Sequence, residues 1–125
     1  MMFKLKTKWF HKWAKKQKLS DERLLLTIKN IEKDLSSANL GGNLYKVRVP
    51  LKHKGKSSGY RTIVAYKAND RAIMIYGFAK NEQENISFDE LKRLKMLAKD
   101  ILSLDEGSLA FAIEKEVFIT IGEKS

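Results

Sequence analysis

Residues 61–78, RTIVAYKANDRAIMIYGF, decide the fold. Arg61 to Tyr66 is rich in β-branched and aromatic residues, Ala68 to Asp70 is a turn, and Ala72 to Phe78 is almost wholly apolar. Two such runs joined by a short polar connection pair as antiparallel strands. A strand apolar throughout belongs in the middle of a sheet, covered on both faces. Just upstream, LYKVRV (44–49) alternates with period two and is closed by Pro50, the only proline. An antiparallel meander of Leu44–Val49, Arg61–Tyr66 and Ala72–Phe78 is therefore expected, with the polar, basic stretch LKHKGKSS (51–58) as the loop between its first two strands.

Outside the meander the period changes to that of a helix. Leu24, Leu25, Ile28, Ile31 and Leu35 form an apolar stripe behind Ser20, a good N-cap, with Asp21 and Glu22 where the helix dipole favours acids. This spacing predicts a helix running to about Ser36 and stopping before Gly41-Gly42. Trp9, Phe10 and Trp13, set among lysines, predict a shorter amphipathic helix ending near Lys18 and using its aromatics mainly in the core. FKLKT (3–7) alternates as a short, half-exposed strand would. On the other side Ser87 caps a run in which Leu91, Leu94, Leu97, Ala98, Ile101 and Leu102 share one face. Leu109 to Glu114 reads as a weak helix and Val117 to Ile121 as a strand-like end. The fold class is α+β: a two-helix hairpin packed on a small antiparallel β-sheet, with a third helix after the sheet and the helices on one face. Residues 1–125 form one domain, of which 105–125 is a C-terminal extension.

Charge narrows the function. Lys and Arg number 25 against 15 acids, a net charge of +10. Residues 1–80 hold 19 bases and 5 acids, and residues 81–125 hold 6 bases and 10 acids. Residues 1–18 and 35–69 carry seven bases each and no acid. Such a footprint suits RNA or DNA phosphate, and the acidic second half reads as scaffold or protein contact. No apolar run approaches the roughly 18 residues of a membrane span, and no secretory h-region opens the chain. There are no cysteines, and His11 and His53 stand far apart, so neither thiol chemistry nor a metal site is expected. A cytoplasmic protein without cofactor fits these features.

Walker, GxSxG, HExxH and GxGxxG signatures are absent. The chemistry is instead concentrated in LKHKGKSSGYR (51–61), which sets Lys52, His53, Lys54, Lys56 and Arg61 beside hydroxyls and glycines. In a meander the start of the second strand lies beside the end of the third, so Arg61 and Lys80 share one sheet end with the loop. Asn81 follows Lys80, Lys46 and Arg48 lie on the strand before the loop, and Tyr60 and Tyr76 border the basic clusters.

GKSSGYR (55–61) and YGFAKNEQENIS (76–87), with the opening KTKWFHKWAKKQKLSD and LGGNLYKVRV, resemble the RelE/ParE superfamily of bacterial type II toxin–antitoxin toxins. The RelE/HigB-like branch, with its GKSGGYR and YGFAKNE pattern, is the most similar. The resemblance implies a RelE-like fold, a ribosome-dependent mRNA endonuclease (mRNA interferase) that inhibits translation without a metal, and a cognate antitoxin that often carries a helix-turn-helix. It implies catalytic work for Lys56, Arg61, Lys80 and His53, and RNA binding by Lys52, Lys54, Lys46, Arg48 and Asn81. Better-studied nucleases of this kind carry a second arginine and a tyrosine where this chain has Asn81 and Ser87. Other members inhibit DNA gyrase, so a non-catalytic toxin acting on a protein target and an inactive RNA- or DNA-binding module are the alternatives.

Overall fold

Thr7 ends the first strand and caps the first helix: its backbone is extended and its hydroxyl accepts from the Phe10 amide. The computed structural model describes residues 2–33, 37–49 and 59–122. Their order is β1 (Phe3–Thr7), α1 (Lys8–Lys16), α2 (Asp21–Glu32), β2 (Ser37–Gly41), β3 (Leu44–Arg48), β4 (Tyr60–Lys67), β5 (Arg71–Ala79), α3 (Phe88–Ser103), α4 (Glu106–Glu114) and β6 (Phe118–Thr120). Ser20 caps α2 and Asp105 caps α4. Ser87 and Glu90 form a reciprocal capping box on α3. The six strands make one sheet in the order β2-β3-β4-β5-β1-β6.

β5 fixes the layers. Ala72 and Met74 pack with Phe10, Ala14, Leu24 and Ile28 of α1 and α2, whereas Ile73 and Ile75 pack with Ala98, Ile101 and Leu109 of α3 and α4. Each fully buried Leu, Ile or Phe contributes about 1.5–3 kcal/mol, which gives both layers a substantial hydrophobic drive. Val64 pairs with Met74 and Ile63 with Tyr76, leaving Ile75 as an extra residue in the ladder. Beyond this bulge Gly77 faces α1, where a Cβ would overlap the Trp13 ring. Only glycine permits that approach.

Two buried cations tie the layers together. Arg71, 3% exposed, donates to Asp70 at 2.7 Å and to the Ile101 carbonyl at 3.0 Å, joining the start of β5 to the last turn of α3. Lys6 donates to Asp21 at 2.8 Å, and the Gly122 amide donates to the same carboxylate at 3.0 Å. That node joins β1, the first turn of α2 and the chain after β6.

The α+β class, the meander and the central β5 are as read from the sequence; other details differ. α2 ends at Glu32, and residues 37–41 form β2. Gly41, Gly42 and Asn43, with φ of 90°, 63° and 64°, make a β-hairpin turn rather than a helix stop. The sheet is mixed, because β1 pairs parallel with β5 (Phe3↔Arg71 to Lys6↔Met74) while every other pairing is antiparallel. Helices cover both faces, not the one face read from the sequence: α1 and α2 pack on one side and α3 and α4 on the other, because β5 is apolar on both. Residues 106–120 form α4 and β6, and Leu109 and Phe118 belong to the core.

Candidate nucleic-acid interface

The register of β3 and β4 gathers three of the sequence-derived basic residues. Arg48 pairs directly with Arg61, and Lys46 with Ile63. Strand alternation puts all three on the face that carries Leu44, Ile63 and α3. There they line an open cleft of about 360 Å³ together with Ser37 and Ala38 of β2. Lys46 reaches across to donate to the Asn85 side chain at 3.2 Å, just before α3.

Like charges directly opposite each other on neighbouring strands are destabilising. Here the conflict is sharpened, since Nη1 of Arg61 is buried with no hydrogen-bond partner among the described residues. Burial, and then the neighbouring Arg48, lower the Arg61 pKa. The guanidinium remains charged nonetheless, because its ordinary value is so high. A Cβ on buried Gly59 would come within 3.6 Å of that Nη1 and 4.0 Å of Arg48 Cγ, so the glycine leaves room beside both arginines. Among the described residues the arrangement is a pair of opposed guanidinium groups with one unpaired donor, a geometry suited to an anionic oxygen.

Arg61 and Lys80 share this end of the sheet, as the meander requires. Tyr60 pairs with Ala79, and the Lys80 amide donates to the Gly59 carbonyl at 3.1 Å. Lys80 and Asn81 are exposed in the turn after β5, beside the cleft rather than among its described lining residues. Lys52, His53, Lys54 and Lys56 lie outside the described residues.

The aromatics form one run across the edge of β5. Trp9 stacks on Tyr76 at 4.9 Å and on Trp13 at 6.3 Å, and Tyr60 meets Trp13 edge-on at 5.7 Å. Phe10 is fully buried, Trp13 partly so, and Trp9 remains 49% exposed. Tyr60 therefore packs against α1.

A further polar network beside the cleft escaped sequence reasoning. The Tyr76 hydroxyl donates to Glu90 at 3.0 Å, and the other Glu90 oxygen accepts from the Ser87 amide at 3.1 Å and from Gln83 at 3.2 Å. The Ser87 amide leads in holding the Glu90 pKa down, while burial and then Glu90 push the Tyr76 phenol up. Tyr76 thus stays protonated and Glu90 charged at neutral pH, a fixed pair that docks the start of α3 against the sheet. The S-x-x-E spacing at Ser87 signals the cap; nothing in the sequence signals the tyrosine it also holds.

Among the described residues no helix is long and apolar enough to cross a membrane. A family model described as the RelE toxin of the RelE/RelB toxin–antitoxin system matches residues 2–121. No curated protein matches the chain.

Proposed function

Because the chain belongs to the RelE toxin family of RelE/RelB toxin–antitoxin systems, we propose that it arrests translation as a cytoplasmic endoribonuclease that cuts mRNA on the ribosome. The observation that carries this reading is the opposed Arg48–Arg61 pair in an open cleft, with a buried Arg61 nitrogen that has no hydrogen-bond partner among the described residues. A fold keeps two like charges face to face where an outside anion completes them, and an RNA phosphate is such an anion.

In the proposed reaction the RNA 2′-OH attacks the adjacent phosphorus. The O2′–P bond forms, the P–O5′ bond breaks, and a 2′,3′-cyclic phosphate is left. One group takes the 2′-OH proton and another protonates the departing 5′-oxygen. Arg61 stabilises the phosphorane oxygens with parallel donors. Lys56 and Lys80 supply acid–base work or further positive charge. His53, an imidazole in the same loop sequence, is the other proton carrier. Lys46, Arg48, Lys52, Lys54 and Asn81 hold the RNA, and the ribosome contributes orientation of the message. The cognate antitoxin silences the toxin by covering this basic sheet end with an acidic or amphipathic segment, at a rate that salt should slow.

Inducible expression with mapping of mRNA 5′ ends tests the reading. Growth arrest with cuts confined to translated frames, lost in Arg61→Ala, supports it. Arrest with damaged DNA and intact mRNA transfers the target to gyrase. Absence of arrest from an expressed, folded chain leaves a binding module.

A further inference from the structure

The acid-rich half of the chain concentrates its cations on one helix. Lys92, Lys95 and Lys99 of α3 follow i, i+3 and i+7 spacing and share a side of it. Lys95 and Lys99 line a second cleft of about 460 Å³, closed on the other side by Lys67 and by Gly42 and Asn43 of the β2–β3 turn. The Lys95 side chain lies along the turn, for a Cβ on Gly41 would sit 3.4 Å from its Nζ and a Cβ on Gly42 3.8 Å from its Cγ. Three lysines therefore converge where the nearby acid, Asp70, is 4.0 Å from Lys67 and already bound to Arg71 at 2.7 Å. Lys95 and Lys99, one turn apart, repel each other, and α3 spends helix stability to present both.

The second cleft is on the same sheet face as the first. Arg61 and Lys67 are separated by an even number of residues on β4, with Ile63 and Ala65 between them beneath α3. Six residues of strand span about 20 Å. α3 follows this path from Asn85, which holds Lys46, to Ser103 at the far cleft. The two cationic clefts are the ends of one route.

We propose that Lys92, Lys95 and Lys99, with Lys67 opposite, form a second phosphate-contact track that holds the RNA backbone where it leaves the Arg48–Arg61 cleft. The proposal rests on the reading that RNA occupies that first cleft. Continuity with the arginine pair, and cations repeated at roughly one helical turn of about 5 Å, suit a strand of regularly spaced charges better than an acidic peptide segment. The chain's second half, acidic in sum, would then touch RNA through this one face.

The test is binding of the full-length protein to oligouridylates whose 2′-O-methyl groups block cleavage, one of about 4 and one of about 16 nucleotides. Fluorescence anisotropy is followed against salt. Changing Lys67→Gln, Lys95→Gln and Lys99→Gln together should leave the short oligomer's affinity unchanged. It should weaken the long one by about tenfold or more and lower the slope of log affinity on log salt by about 2, at about 0.7 per lost contact. The corresponding triple change to arginine should bind as the parent does, which separates charge from folding. Arg61→Ala should weaken both lengths. If the glutamine variant binds both oligomers as the parent does while Arg61→Ala weakens both, the track is overturned and the catalytic cleft stands. If Arg61→Ala changes neither, the reading of the first cleft fails instead. If the glutamine variant keeps its RNA affinity and loses only the cognate antitoxin, the face docks an acidic protein and the track is overturned.

Discussion

Arg71 and Arg61 occupy opposite ends of the β4–β5 ladder, and the chain treats them oppositely. Arg71 has a carboxylate and a carbonyl built for it from its neighbour Asp70 and from Ile101. Arg61 has a buried nitrogen with no partner among the described residues, and the residue opposite is another arginine. The first end is complete within the fold, and its cation holds a helix on a sheet. Among the described residues the second end offers its cation no acceptor, which is why we propose an anion from outside for it. On the proposed function, satisfaction of the guanidinium, more than its burial, separates the structural arginine from the working one.

Exchanging the two losses is the strongest way to break this comparison. Arg61→Ala should lower mRNA cleavage by about 10²–10³-fold, the range seen when one preorganised transition-state donor is removed. Its melting temperature should stay level or rise, since a like-charge conflict disappears. Arg71→Ala should do the reverse. It strips two charge-assisted hydrogen bonds and leaves a cavity, for a loss of about 2–4 kcal/mol, while cleavage per folded molecule is kept. At about 4 °C per kcal/mol this lowers the melting temperature by about 8–16 °C. Equal melting-temperature losses in the two variants would end the distinction.

The Lys6–Asp21 node sharpens it with a smaller effect. Burial raises the Asp21 pKa, but the Gly122 amide and Lys6 outweigh it, so the net direction is down. A carboxyl with a lowered folded pKa gives its full stability above the unfolded value near 4 and loses it as pH falls through the lowered one. Asp21→Asn should cost about 1–2 kcal/mol at pH 7, less than Arg71→Ala because the carboxylate is partly in solvent, and should show a flatter acid limb in urea titrations.

His11 gives the smallest signal. Burial, then Lys6 and Lys15, lower its pKa below 6.5. The unfolded chain therefore binds the proton more tightly, and stability falls as pH drops from about 6.5 toward the lowered value. Urea midpoints at pH 7.5 and 5.5 should converge in His11→Gln; an unchanged gap would place the titration elsewhere.

Local pattern carried most of the fold. Ser20 and Ser87 announced their helices, and the apolar run of β5 announced a strand with cover on both sides. β2 was hidden because SANLG has little strand propensity and takes its conformation from pairing with β3. The parallel contact of β1 with β5 joins residues too far apart for any window to register. At the candidate site, Lys46, Arg48 and Arg61 were visible as basic residues on two strands, and the antiparallel rule brought them to one end. Which of them lacked a partner was not visible, because that depends on cross-strand register and on what α3 covers. The second basic cleft was masked by the net acidity of its segment, since charge sums erase direction.

The position of β1 has a consequence during synthesis. This strand is made first, yet its parallel partner in β5 begins at Arg71 and its other neighbour, β6, ends at Thr120. At about 5–20 residues per second, β1 waits several seconds without either neighbour, and the sheet closes only when β6 has left the ribosome. The lining of the arginine cleft needs only β2, β3 and β4, but closure of the sheet needs β6. A nascent chain of this kind cannot finish its sheet until Phe118–Thr120 have emerged from the ribosome that is making it.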